Sequence, residues 1–183
     1  GVTPFMKTGL VHIYTGKGKG KTTAAMGLAA RASGYNLQIF IMQFLKGRQT
    51  GEKMFFDKIP NISFNRAGNL TKFINTMTDE EKSQLKQKTQ TAWEKVNRIA
   101  RNSKYDIIIL DEIMGVLKNE FLKTEAVLEL IELINKLEPK PELILTGREA
   151  PPPLVKKADY VTEMNLIKHP YQQNISARQG IEF

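Results

Sequence analysis

An α/β fold, a mostly parallel sheet with helices on both faces, is what this 183-residue chain predicts. Three observations carry that expectation. Apolar runs of strand length alternate with helical stretches along the chain. A glycine- and lysine-rich loop stands between the first apolar run and the first helical stretch. The strongest apolar run, Asp106-Ile107-Ile108-Ile109-Leu110, has the unbroken character of a strand covered on both faces.

Leu10-Val11-His12-Ile13-Tyr14 predicts the first strand. It leads into Tyr14-Thr15-Gly16-Lys17-Gly18-Lys19-Gly20-Lys21-Thr22-Thr23, then into an Ala-, Leu- and Met-rich helix from Thr22 to Ser33. Strand, glycine-rich loop and helix in that order make a phosphate-binding loop. The glycines let backbone N–H groups turn inward around phosphate oxygens. The helix N-terminus adds partial positive charge at the same point. Lys21 is placed to reach the outer phosphates, and the Thr22 hydroxyl to hold Mg²⁺. The general pattern G-x-x-x-x-G-K-[ST] would put its first glycine where Thr15 stands, and here the glycine is Gly16. Lys17 and Lys19 add two further cations, so Thr15, Gly16, Lys17, Gly18, Lys19, Gly20, Lys21, Thr22 and Thr23 are expected to hold a triphosphate along its length. The fold expected is therefore P-loop NTPase-like, of the RecA-like kind.

Further along, residues 37–44 predict a buried second strand after the turn Gly34-Tyr35-Asn36. Asn61-Ile62-Ser63-Phe64 predicts a short third strand, and residues 68–76 a loop. A long helix is expected to begin at Thr78, with Glu81 completing a capping box. Leu85, Thr89, Ala92, Trp93, Val96, Ile99 and Ala100 form its apolar stripe. A helix from Thr124 to Leu137 ends before Pro139 and Pro141. Residues 143–146 predict a fifth strand, Pro151-Pro152-Pro153 a short helix or turn, and residues 159–166 a last strand.

The length suits a single domain over residues 1–183, with residues 1–8 as an N-terminal arm. Apolar residues make up 41% and charged residues 25%, an ordinary globular balance. No apolar run reaches membrane-span length, and no membrane partner is expected. The absence of cysteine excludes disulfides, zinc thiolates and a cysteine nucleophile, and fits a cytoplasmic location. The net charge of +8 suits a polyanionic small substrate. The basic residues are scattered, and nucleic acid is not the expected partner.

Asp111 and Glu112, at the end of the apolar run 107–110, read as a Walker B pair beside the loop. Thr22, Asp111 and Glu112 are thus the candidate ligands for Mg²⁺ or Mn²⁺. Glu112 could also position water or accept a hydroxyl proton. Arg148, after the fifth strand, joins Lys21 as a candidate charge stabiliser. Neither of the two histidines stands in a catalytic set: His12 falls in a strand, and His169 in the loop Lys168-His169-Pro170. No side chain is expected to act as nucleophile.

Five segments together resemble the ATP:corrinoid adenosyltransferases of the BtuR/CobO/CobA type. They are Tyr14 to Ala25, Gln43-Phe44-Leu45-Lys46-Gly47, Tyr105 to Glu112, Leu143 to Arg148 with Ala158-Asp159, and Lys168-His169-Pro170-Tyr171 with Ala177 to Phe183. The resemblance implies transfer of the 5′-deoxyadenosyl group of ATP to Co(I) of a reduced corrinoid, with triphosphate released. It is the chemistry of a cob(I)yrinic acid a,c-diamide or cob(I)alamin adenosyltransferase, in adenosylcobalamin synthesis or salvage. It also implies a homodimer and a reduced flavoprotein as electron donor. Lys46, Leu70, Phe73, His169 and Arg178 are the positions it assigns to the corrinoid. The family's Gly-Phe-Thr-Trp-like segment is replaced here by Gly68-Asn69-Leu70-Thr71-Lys72-Phe73, with Leu70 and Phe73 as the candidate replacements. A glycine common in the family is Asn174, which tolerates the left-handed conformation.

Such chemistry needs no general base, because Co(I) is itself a strong nucleophile. Three other readings remain: a P-loop ATPase or kinase using Glu112, a nucleotide-binding regulatory subunit, and a nucleic-acid module driven by charge. They differ in products and in salt dependence.

Overall fold

The computed structural model describes residues 8–68, 70, 72–102 and 104–183. Of the expected N-terminal arm, residues 1–7 lie outside the described residues, as do Asn69 and Thr71 of the segment after the third strand. Six strands form one sheet: β1 (Val11–Thr15), β2 (Ile39–Gln43), β3 (Ile62–Arg66), β4 (Ile107–Asp111), β5 (Glu142–Thr146) and β6 (Tyr160–Glu163). Their order is β3-β2-β4-β5-β1-β6, and every neighbouring pair is parallel. The α/β expectation is met.

Alternation along the strands decides which face each side chain serves. Ile39, Ile41, Ile107, Ile109 and Ile144 face α1 (Lys21–Ser33) and α2 (Gly51–Phe56). Phe40, Met42, Ile108, Leu110, Leu143 and Leu145 face the other layer. That layer holds α3 (Asp79–Arg101), α4 (Ile113–Lys118), α5 (Thr124–Asn135) and α6 (Pro152–Lys157). β2, β4 and β5 are buried at every position, which is why their sequences read as unbroken apolar runs.

The α3 capping box is present, with Thr78 Oγ1 accepting from the Glu81 N–H and Glu81 accepting from the Thr78 N–H. All seven residues of the expected stripe are buried or packed on the core, with Trp93 and Val96 at its centre. Two elements differ from expectation in kind. α2 and α4 have six residues each, too short to show a helical period. β3 extends to Arg66 because Asn65 and Arg66 pair with Met42 and Gln43. Their side chains are polar, so an apolar pattern stops before them. The last strand closes at Glu163, and all four of its residues are exposed along the sheet edge. Asn174 adopts the left-handed conformation, φ 58°.

Candidate active site

Four strands deliver polar groups from their carboxyl ends, where parallel sheets bind ligands. β1 runs into the phosphate-binding loop, β2 ends at Gln43, β4 at Asp111 and β5 at Thr146. β5 lies between β1 and β4, so Thr146 sits between the loop and the carboxylate strand. Asp111 is fully buried. Its Oδ1 accepts from the Thr22 hydroxyl at 2.9 Å and the Thr146 hydroxyl at 2.6 Å. Its Oδ2 accepts from Gln43 Nε2 at 3.0 Å. The Thr146 hydroxyl in turn accepts the Glu112 N–H at 2.9 Å. A buried carboxylate needs such donors to remain there without a large penalty. The expected meeting of Thr22 with Asp111 is thus present. Gln43 and Thr146 carry no motif of their own. Each had the same signal in the sequence: one polar side chain closing an apolar strand at its carboxyl end.

The loop itself is folded on its own groups. Lys21 Nζ donates to the Gly16 and Gly18 carbonyls at 2.8 and 2.7 Å. Burial lowers the Lys21 pKa, and the nearby Arg148 guanidinium lowers it further. The Gly18 N–H donates to the Met164 carbonyl at 2.6 Å, after β6. A side chain at Gly16 (φ 98°) or Gly18 would run into the Met164 backbone. Thr15 Oγ1 accepts the Ala150 N–H at 3.2 Å.

A cavity of about 1130 Å³ opens over the loop. Six cations line it (Lys17, Lys19, Lys21, Lys46, Arg48 and Arg148) against the carboxylates Glu52, Glu112 and Glu182. Gly18, Gly20, Thr22, Thr23 and His169 also face it. The His169 ring accepts the Tyr171 N–H at 3.1 Å through Nδ1. The C-terminal segment lies across the same opening. Lys19 Nζ is 3.0 Å from Glu182 Oε1, and the Arg48 guanidinium sits 5.4 Å from the centre of the Phe183 ring. Arg178 holds Glu182 through side-chain and backbone hydrogen bonds, which keep that carboxyl at about 2. A polyphosphate entering the loop would compete with Glu182 for Lys19.

Of the positions assigned to the corrinoid, Lys46 and His169 line the cavity. Leu70 is half-buried against the core beside Gly47, and its N–H points to the Lys46 carbonyl at 3.4 Å. Phe73 is 79% exposed, outside the cavity lining. Arg178 is exposed and already paired with Glu182. His12 stands apart from all of these, 2.7 Å from Glu142.

Among the described residues no three of His, Cys, Asp and Glu converge as a protein cage for a metal. Mg²⁺ is bound differently, through one or two protein oxygens completed by phosphates and water. The Thr22 hydroxyl and Asp111 carboxylate, at the N-terminus of α1, are a donor set of that kind. Glu112 borders it in the left-handed conformation, φ 63°. Burial raises the Glu112 pKa above its ordinary 4.5, with Lys46 opposing and Asp111 adding to the rise. A carboxyl with a raised folded-state pKa withdraws stability as pH climbs through that range. Glu112→Gln should therefore unfold at a higher temperature than the parent at pH 7, without metal or nucleotide. The gain should vanish by about pH 4, near the ordinary carboxyl pKa. Thermal unfolding followed by circular dichroism at both pH values checks this.

Comparison with known proteins bears on what such a site serves. The family described as ATP:corrinoid adenosyltransferase BtuR/CobO/CobP matches residues 7–183. A corrinoid adenosyltransferase of Pseudomonas aeruginosa is 32% identical over 177 residues, covering 96% of this chain and 84% of that protein. One from Sinorhizobium sp is 33% identical, covering 96% and 80%. The corrinoid adenosyltransferase of Escherichia coli K12 is 28% identical, covering 96% and 86%. With the match running through the phosphate-binding loop, the Asp111 strand and the C-terminal segment, the chain belongs to the ATP:corrinoid adenosyltransferase family.

Proposed function

We propose that the cavity holds Mg²⁺ and ATP along the P-loop and turns C5′ of the ribose toward the cobalt of a reduced corrinoid. The cobalt–carbon bond forms from the Co(I) electron pair, the C5′–oxygen bond breaks, and triphosphate leaves with both electrons of that bond. The observation that carries this reading is the concentration of six cations in one cavity, which Thr22, hydrogen-bonded to the buried Asp111, also lines. A whole triphosphate developing charge as it leaves is the group such a site stabilises best. Lys21, which opens α1, and Arg148, close enough to lower the Lys21 pKa, would take the largest share. Mg²⁺, or Mn²⁺ in its place, would neutralise phosphate charge from Thr22 and Asp111, with Glu112 beside them. The protein's remaining task is positioning.

Lys46 and His169 would border the corrinoid from the cavity wall, and Leu70, Phe73 and Arg178 would be its further contacts, as the family resemblance assigns them. The enzyme would act on cobalamin or an earlier corrinoid in the cytoplasm, as a homodimer, with a reduced flavoprotein supplying electrons. The raised pKa of Glu112 beside Lys21 favours one alternative, an ATPase in which Glu112 handles a proton.

Mixing the protein with MgATP and chemically reduced cob(I)alamin separates the two. The expected result is a light-sensitive alkylcobalamin with one triphosphate released per corrin. ADP and phosphate, with an unchanged corrinoid spectrum, would defeat the transferase reading.

A further inference from the structure

We infer that Gln43 and Arg66 are positioning residues for Asp111, and that through them the Arg48–Thr50 segment of the cavity is mechanically tied to the metal-binding carboxylate. The inference rests on the proposed reading of Thr22 and Asp111 as the Mg²⁺ site.

The geometry forms a chain. Gln43 is 1% exposed and donates through Nε2 to Asp111 Oδ2 at 3.0 Å. Its Oε1 accepts Arg66 Nε–H at 2.9 Å. The two Nη groups of Arg66 continue outward, to the Arg48 carbonyl at 2.7 Å and the Thr50 hydroxyl at 2.8 Å. Arg48 and Thr50 line the cavity. An amide has one donor end and one acceptor end. Turned over, Gln43 would set its carbonyl oxygen against the Asp111 carboxylate and its NH₂ against the Arg66 N–H. Arg66 therefore fixes which end meets Asp111.

With Oδ1 already accepting from Thr22 and Thr146, the Gln43 bond fixes the second oxygen and so the plane of the carboxylate. Partners that orient a metal ligand matter nearly as much as the ligand itself. Only a planar fork can serve Gln43, Arg48 and Thr50 at once, so lysine cannot replace Arg66. A ligand that moves the Arg48–Thr50 segment would pull on the same fork. Cavity occupancy and metal affinity are then linked through Arg66.

The test measures Mn²⁺ binding by electron paramagnetic resonance, with ATP present and no corrinoid, so that no turnover occurs. ATP binding in excess EDTA is measured alongside by calorimetry. Gln43→Met, which keeps the length and removes both amide ends, should weaken Mn²⁺ binding by about 10- to 100-fold. Arg66→Met and Arg66→Lys should weaken it in the same direction. Gln43→Met should bind ATP in EDTA as the parent does, whereas the Arg66 variants, which also release the Arg48–Thr50 segment, should lose more Mn²⁺ binding than metal-free ATP binding. Parental Mn²⁺ affinity in Gln43→Met would overturn the inference, as would equal losses of Mn²⁺ and metal-free ATP binding, which mark general damage. A parent protein that binds no Mn²⁺ with ATP would instead overturn the metal site itself.

Discussion

Lys21→Ala should lose adenosyl transfer by about 10²–10³-fold or more while the fold stands. Two facts separate the outcomes. Among the described residues, the Lys21 ammonium bonds only to carbonyls of its own loop, at Gly16 and Gly18, so its removal strips no described partner from the core. It also sits at the head of α1, where triphosphate charge would grow during transfer. Burial and Arg148 both disfavour its charge in the free protein. An incoming phosphate chain would relieve that, so the lysine gains most when the triphosphate is most charged. Rates with cob(I)alamin and MgATP, beside unfolding midpoints, check the pair of expectations. A variant that unfolds like the parent and turns over at more than a tenth of its rate would remove Lys21 from the charge-stabilising role.

The second large effect is on the Gln43-Phe44-Leu45-Lys46-Gly47 turn. A Cβ at Gly47 would fall inside the Leu70 carbonyl group, and neither backbone can yield without breaking the contact between the two loops. Gly47→Ala is therefore expected to cost about 1–3 kcal/mol. Its unfolding midpoint should fall by several degrees, since each kcal/mol moves a domain of this size by about 2–4 °C. The displaced segment carries Leu70, so corrinoid turnover should fall further than ATP binding does. Gly27→Ala is the control. Nothing lies within 4 Å of a Cβ there, and the residue is exposed on α1. That change should stabilise by about 0.5–1 kcal/mol. Urea unfolding and ATP titration of both variants decide the matter. A Gly47→Ala protein as stable as the parent would mean that the two loops are not locked together at this point.

Much of the architecture was legible in sequence because its determinants are local or periodic. The displaced glycine of Thr15-Gly16-Lys17-Gly18-Lys19-Gly20-Lys21-Thr22 marks the turn from β1 into α1 from chain neighbours alone. The Thr78–Glu81 box announces α3 within four residues. Unbroken apolar runs announce β2, β4 and β5 because both faces of a parallel sheet are covered. α2 and α4 escaped, since six residues complete too few turns to carry a period.

What only the tertiary structure decided is which distant polar groups meet. Strand order places β5 between β1 and β4, and this brings Thr146 to Asp111. No local pattern in either segment encodes that neighbour. The same holds for Arg66, whose guanidinium reaches Gln43 only because β3 pairs with β2 in one register. It holds as well for Glu182, set against Lys19 from the far end of the chain. Local chemistry and periodicity wrote the elements and the glycine-rich turn between β1 and α1 into the sequence. The buried network around Asp111 depends on contacts between residues far apart in the chain, and a side chain's partner across such a gap is chosen by packing and register, which exist only once the sheet has formed.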